Sequence, residues 1–169
     1  YSGFVAYERP LLYGPPETLS LVSKVAYFGN LDALPGFQNV ESPTDKIGEA
    51  QLALVYKHPR GSAGKVDDEA GHAWTVLAHA YEAEGEITPA VLGSFDVGWP
   101  LRLPHSSVWL RTGAGVASGD EEDPLANTYF GGFGNNYVDS GEIKRYREHY
   151  ALPGFGLNEI SGRTFVRQT

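Results

Sequence analysis

The sequence predicts an all-β fold of long antiparallel strands, the pattern of a transmembrane β-barrel or part of one, with a soluble β-sandwich as the alternative. Three observations carry this expectation. Apolar residues alternate with period two over unusually long runs, the composition is rich in turn formers, and short turns alternate with long polar loops along the chain.

The alternation is clearest between Gly71 and Ala117. Ile87, Pro89, Val91, Gly93, Phe95, Val97 and Trp99 fall on one side of a strand, and Thr88, Ala90, Leu92, Ser94, Asp96 and Gly98 on the other. Successive side chains of a β-strand point to opposite faces, so this run has one apolar and one mixed face. Val108, Leu110, Thr112, Ala114 and Val116 repeat the pattern against Ser107, Trp109, Arg111, Gly113 and Gly115. Between the two runs, Pro100-Leu101-Arg102-Leu103-Pro104 is too short for anything except a reversal of direction, and its prolines end the strands. Ordinary strands run about 5–6 residues, whereas a tilted bilayer-crossing strand needs about 9–11. These arms reach the longer class.

Composition agrees. Gly 21 and Pro 11 in 169 residues, with 12% aromatics, favour a turn-rich all-β chain of one domain. No run approaches 18 consecutive apolar residues, so neither a transmembrane helix nor a signal peptide is predicted. The chain opens at Tyr1 inside a strand-like run and has no Met, which reads as a mature or truncated segment. The absence of cysteine excludes disulfides and thiolate metal sites. A net charge of −8 argues against nucleic acid, whose phosphates require a basic face.

Taken in order, residues 2–8 resemble a strand end, and residues 18–28 alternate with Leu19, Leu21, Val25 and Tyr27 opposite Ser20, Val22, Lys24 and Ala26. A long loop is expected over 29–48. Residues 49–58 form a further strand with Leu52, Leu54 and Tyr56 on one face. After the hairpin, a second long loop is expected over 118–162, and residues 163–169 start one more strand with Val166 opposite Phe165. About eight strands can be counted, the minimum for a single-chain membrane barrel. Leu-Pro-Gly-Phe occurs at 34–37 and 152–155, each time after Tyr-Phe-Gly.

The segment Tyr129 to Thr169, with the upstream run from Leu92 to Asp120, resembles the C-terminal barrel region of bacterial outer-membrane proteins of the surface-antigen (Omp85-like) superfamily. Within it, the likeness is to barrels that follow TolB-type propeller repeats in large envelope proteins. The resemblance covers roughly the last hundred residues. It implies a long loop folded back into the barrel, carrying a Val-Arg-Gly-Phe/Tyr signature against the inner wall. Here the matching residues are Leu152, Pro153, Gly154 and Phe155; glycine and phenylalanine agree, but proline stands where the family has arginine. An ion pair from that position to the wall is therefore lost, with Arg163 or Arg145 as possible substitutes. Propeller repeats and a closing strand ending in an aromatic residue are absent, so the resemblance implies an incomplete barrel.

Reactive constellations are sparse. The acidic runs Asp67-Asp68-Glu69 and Asp120-Glu121-Glu122-Asp123 lack calcium-loop spacing and read as solvated loops. His72 and His79 fall on opposite faces of a strand, Gly113-Ala114-Gly115 precedes no helix, and Glu82, Glu84 and Glu86 read as a polar hairpin tip. There is no G-x-S-x-G elbow. No catalytic residue, cofactor or metal is assigned. Trp74, Trp99 and Trp109 read as an interfacial aromatic girdle, or as a sugar platform under the sandwich alternative. Lys144, Arg145 and Arg147 form the basic loop patch.

The expectation is thus a non-enzymatic barrel protein of the bacterial outer membrane, acting as a pore, a translocation or insertion unit, or an envelope anchor. Its lipid face would comprise Leu19, Leu21, Leu52, Leu54, Val91, Phe95, Val97, Val108 and Leu110. Its partners would be outer-membrane lipid and other envelope proteins, not nucleic acid. The alternative is a secreted sandwich that binds carbohydrate or a cell surface.

Overall fold

The structure is a computed structural model that describes residues 1–31, 44–64, 68–131, 149–150, 152, 154–156 and 159–169. Among the described residues it is all-β, 69% strand with no helix, and antiparallel in its main sheet. Six long strands come first: β1 (Ser2–Gly14), β2 (Glu17–Phe28), β3 (Ile47–Arg60), β4 (Ala70–Ala83), β5 (Glu86–Pro100) and β6 (Ser107–Ala117). Three short ones follow, β7 (Thr128–Phe130), β8 (His149–Tyr150) and β9 (Ile160–Gly162), and then β10 (Thr164–Gln168). The main sheet is a meander in the order β1-β2-β3-β4-β5-β6-β10, and a second sheet has the order β8-β7-β9.

The first six strands hold 11 to 15 residues each, about 36–50 Å at roughly 3.3 Å per residue. β1 runs well past the expected 2–8, because the irregularity at Pro10 hides its continuation: pairing with β2 skips Leu11 and resumes at Leu12. Among the described residues the main sheet has seven strands and is not closed. β1 and β10 each pair on one side only.

Connections at one end of the sheet span 15–16, 61–69 and 101–106; those at the other span 29–46, 84–85 and 118–163. The long loops do share an end, but the tight turn Glu84-Gly85 sits there with them. Its φ values of 53° and 86° are the paired positive angles of a type I′ hairpin, and Glu82 Oε1 accepts the Gly85 N–H at 3.0 Å. The 118–162 segment, expected as one loop, carries β7, β8 and β9, strands of two or three residues that leave no periodic trace in sequence.

The core lies on one face only. Ala26, Phe28, Leu31, Ile47, Tyr81 and Leu125 form one cluster; Leu92, Phe130 and Phe165 form a second, joined by Leu77 and Leu152. Phe130 meets Phe165 edge-on with centroids 5.1 Å apart. A β-carbon at Gly115 would strike the Phe165 ring, so this glycine serves as the seat of an aromatic. Leu125, Phe130 and Leu152 of the 118–163 connection therefore pack over the mixed face of the sheet, and β7 is held there by Phe130.

Candidate functional site

Register fixes which side chains share a surface, because directly opposed residues of an antiparallel pair point the same way. One row runs Leu21, Leu54, Val76, Gly93, Ala114, Val166 across six strands. The row beside it runs Val116, Val91, Ala78, Leu52, Ser23, Tyr7. All nine residues predicted to meet lipid stand on this face. Among the described residues nothing packs over it: Val5 is 77% exposed, Val25 64%, Leu52 51%, Val91 49%, Val116 55% and Val166 80%. An apolar surface spread over seven strands is far larger than a soluble monomer ordinarily leaves uncovered.

Aromatic residues gather on this face near the end with the 61–69 and 101–106 connections. Tyr56 stacks on Trp74 with centroids 5.5 Å apart and rings 11° from parallel, and Trp74 lies opposite Phe95. Trp99 lies opposite Val108 and is half exposed. The Tyr56 hydroxyl donates to Glu17 Oε1 at 2.9 Å, so the ring is apolar on one side and anchored to a polar group at the sheet's end. Trp74 and Trp99 thus share the apolar face. Trp109 does not: it alternates with Val108 and Leu110 and points to the opposite side, over Gly98.

The opposite face is mixed and partly covered. Buried Glu49 accepts from Gln51 and lies 3.5 Å from Lys24 Nζ, which links β2 and β3. His79 and Thr88 are buried nearby. Toward the other end, Lys57, Asp96 and Arg111 line an open cavity.

The in-folded signature divides. Leu152 packs with the Leu92, Phe130 and Phe165 cluster, whereas Gly154 and Phe155 are exposed, Gly154 at a φ of +98°. Pro153 lies outside the described residues, as do Lys144, Arg145 and Arg147 of the basic patch. Arg163, a candidate for the missing arginine, instead donates to Gly119 O at 2.5 Å and to Glu121 Oε1 at 3.2 Å. It ties the start of the 118–163 connection to its end. Asp123, from the same acidic run, accepts from Thr88 Oγ1 at 3.1 Å and from the Leu125 N–H at 2.8 Å. These acids brace the connection against β5. Among the described residues no cluster of three metal-ligating side chains forms.

One polar cluster was not foreseen. Glu69 accepts from the Ser62 N–H and hydroxyl, both at 2.9 Å, and lies 2.7 Å from His105 Nδ1. The Ser62 N–H, then His105 and the Ser62 hydroxyl, hold the Glu69 carboxyl below the usual carboxylate range. The clamp joins the 61–69 and 101–106 connections. It is not a hydrolytic triad, because Ser62 and His105 both address the same carboxylate, and the Ser62 hydroxyl reaches the same ring nitrogen that faces Glu69. Sequence signalled only an acidic run and a histidine after a proline.

Comparisons with protein-family models, with curated proteins and with solved structures return no match.

Proposed function

We propose that this chain is wall material of a transmembrane β-barrel in a bacterial outer membrane, akin to the surface-antigen superfamily, with a non-catalytic role as a pore wall, a translocation or insertion unit, or an envelope anchor. One observation carries the reading: neighbouring strands β2 to β6 and β10 present a mostly apolar face to the outside, with Arg9 of β1 at its margin, while described parts of the chain's own folded-back segment pack on the mixed face. A sandwich buries its apolar face between sheets and wets the other. This sheet does the reverse, which supports lipid as the apolar face's solvent and a polar interior on the other side. Charged Lys24, Glu49, Asp96 and Arg111 on the inner face favour the pore-wall role within that set. Inside hydrocarbon the open edges of β1 and β10 must be paired, by each other or by further strands.

The test uses the three tryptophans as depth gauges. The full chain is refolded into vesicles of bromine-labelled or plain lipid, with variants that each retain one tryptophan. Trp74 and Trp99 should be quenched by brominated tails, while Trp109 should be quenched by aqueous acrylamide. A chain that is monodisperse in water without detergent, with Trp99 open to acrylamide and blind to brominated lipid, would overturn the proposal and favour the sandwich.

A further inference from the structure

The cavity on the inner face is built around Trp109. A β-carbon placed on Gly98 would lie 2.5–2.6 Å from three ring carbons of the indole at once, so the ring lies face-on against the Gly98 backbone. Its Nε1 donates to Ser107 Oγ at 3.0 Å, which fixes the ring's rotation. One face of the indole is thus spent on the sheet, and Trp109 also lines a cavity of about 540 Å³. That volume is within the roughly 300–1,000 Å³ range of small-molecule sites.

The register places charge beside this platform. Lys57, Ala73, Asp96 and Arg111 form one row across β3, β4, β5 and β6, and Pro59, Gly71, Gly98 and Trp109 form the next. Ala73, Gly71 and Gly98 keep the floor low. Asp96 directly opposes Arg111, yet no ion pair or side-chain hydrogen bond of Lys57, Asp96 or Arg111 is made among the described residues. An ammonium with three N–H donors, a planar guanidinium and a carboxylate acceptor therefore stand unspent beside the oriented indole.

We infer that this cavity binds a pyranose ring of an oligosaccharide, stacked on Trp109, with its hydroxyls held by Asp96, Arg111 and Lys57. The chemistry suits that class. A pyranose has an apolar C–H face that matches an aromatic surface, and a rim of hydroxyls that each donate and accept. A carboxylate and a guanidinium side by side satisfy such a rim, whereas a purely apolar ligand would strand both charges. The inference stands on the inner face alone and does not require the outer face to meet lipid.

The experiment uses the full chain with Trp74→Phe and Trp99→Phe, which leaves Trp109 as the only indole. Fluorescence and calorimetry follow titration with maltohexaose, chitohexaose and hexagalacturonate. A saturable change with one or more of these is expected. Preference for hexagalacturonate would assign the cations as the dominant contacts, and preference for a neutral sugar would assign the stacking face. In the unsubstituted chain, Trp109→Leu should weaken binding by about tenfold or more, and Asp96→Asn by several-fold, with strand content by circular dichroism unchanged. No binding of any of the three, or binding that survives Trp109→Leu undiminished, overturns the inference. Because the readout is sugar affinity rather than lipid contact, it can fail while the membrane reading stands, and the reverse.

Discussion

The two faces of one sheet obey different rules in this molecule. On the apolar face, Leu54, Val76 and Val166 belong to one row, each at least a third exposed and with no packing layer over them. On the mixed face, Leu92 and Phe165 are nearly dry under the folded-back segment, and Glu49 is buried beside Lys24. The inner face is packed with aromatics over part of its length and pairs Lys24 with Glu49, while Lys57, Asp96 and Arg111 stand unpaired among the described residues around an open cavity. The outer face has the composition of an interior without any protein to complete it. A sheet in water would ordinarily reverse the two, and the proposed lipid contact of the apolar face is the reading that accounts for the difference.

The largest expected effect tests the interior. Phe165→Ala removes the ring that holds Phe130 and fills the seat above Gly115. It should cost about 3–5 kcal/mol in equilibrium unfolding, the range for deleting a buried phenylalanine. It should also release the 118–163 connection to protease before the main sheet unfolds. A cost near zero would mean that the connection is not docked.

The next prediction sets the two faces directly against each other. Val76→Arg on the apolar face and Ser94→Arg on the mixed face lie on adjacent strands in the middle of the sheet. In vesicles, the first should cost about 2–4 kcal/mol and the second little, since a charge is costly against hydrocarbon and cheap in a wet interior. Equal costs would erase the distinction between the faces.

Much of this comparison was legible in sequence, because strand faces follow from parity alone. The nine residues assigned to one face by alternation do share it. Parity also places Trp109 on the other face, and grouping it with Trp74 and Trp99 as a girdle put residue type ahead of position. What sequence could not show depends on register or on very short elements. Lys24 meets Glu49 only because β2 and β3 pair as they do, and Asp96 opposes Arg111 only through the β5–β6 pairing. Strands β7 to β9 are too short for any period to emerge, and Pro10 concealed the second half of β1. Leu152 was singled out through the resemblance and not through any pattern in the residues, and of its motif the leucine packs while Phe155 is left exposed.

The smallest expected effect is at the sheet's edge, where neither face rules. Glu69 clamps two connections through Ser62 and His105, and these contacts favour its ionised form. A carboxyl held below its ordinary range adds stability that is fully present above the ordinary carboxylate pKa and is lost as pH falls through the folded value. The 61–69 connection should therefore resist thermolysin near neutrality and yield to pepsin in acid. Glu69→Gln keeps the shape but not the charge, so it should be cut several-fold faster near neutrality and lose the contrast between the two conditions, while the depth of Trp74 and Trp99 stays unchanged. Should the Gln variant be as resistant as the parent at neutral pH, the clamp holds by packing and not by charge. Should the tryptophan depths shift with it, the connections at this end would be coupled to the apolar face, and the separation between the two surfaces would be weaker than their geometry implies.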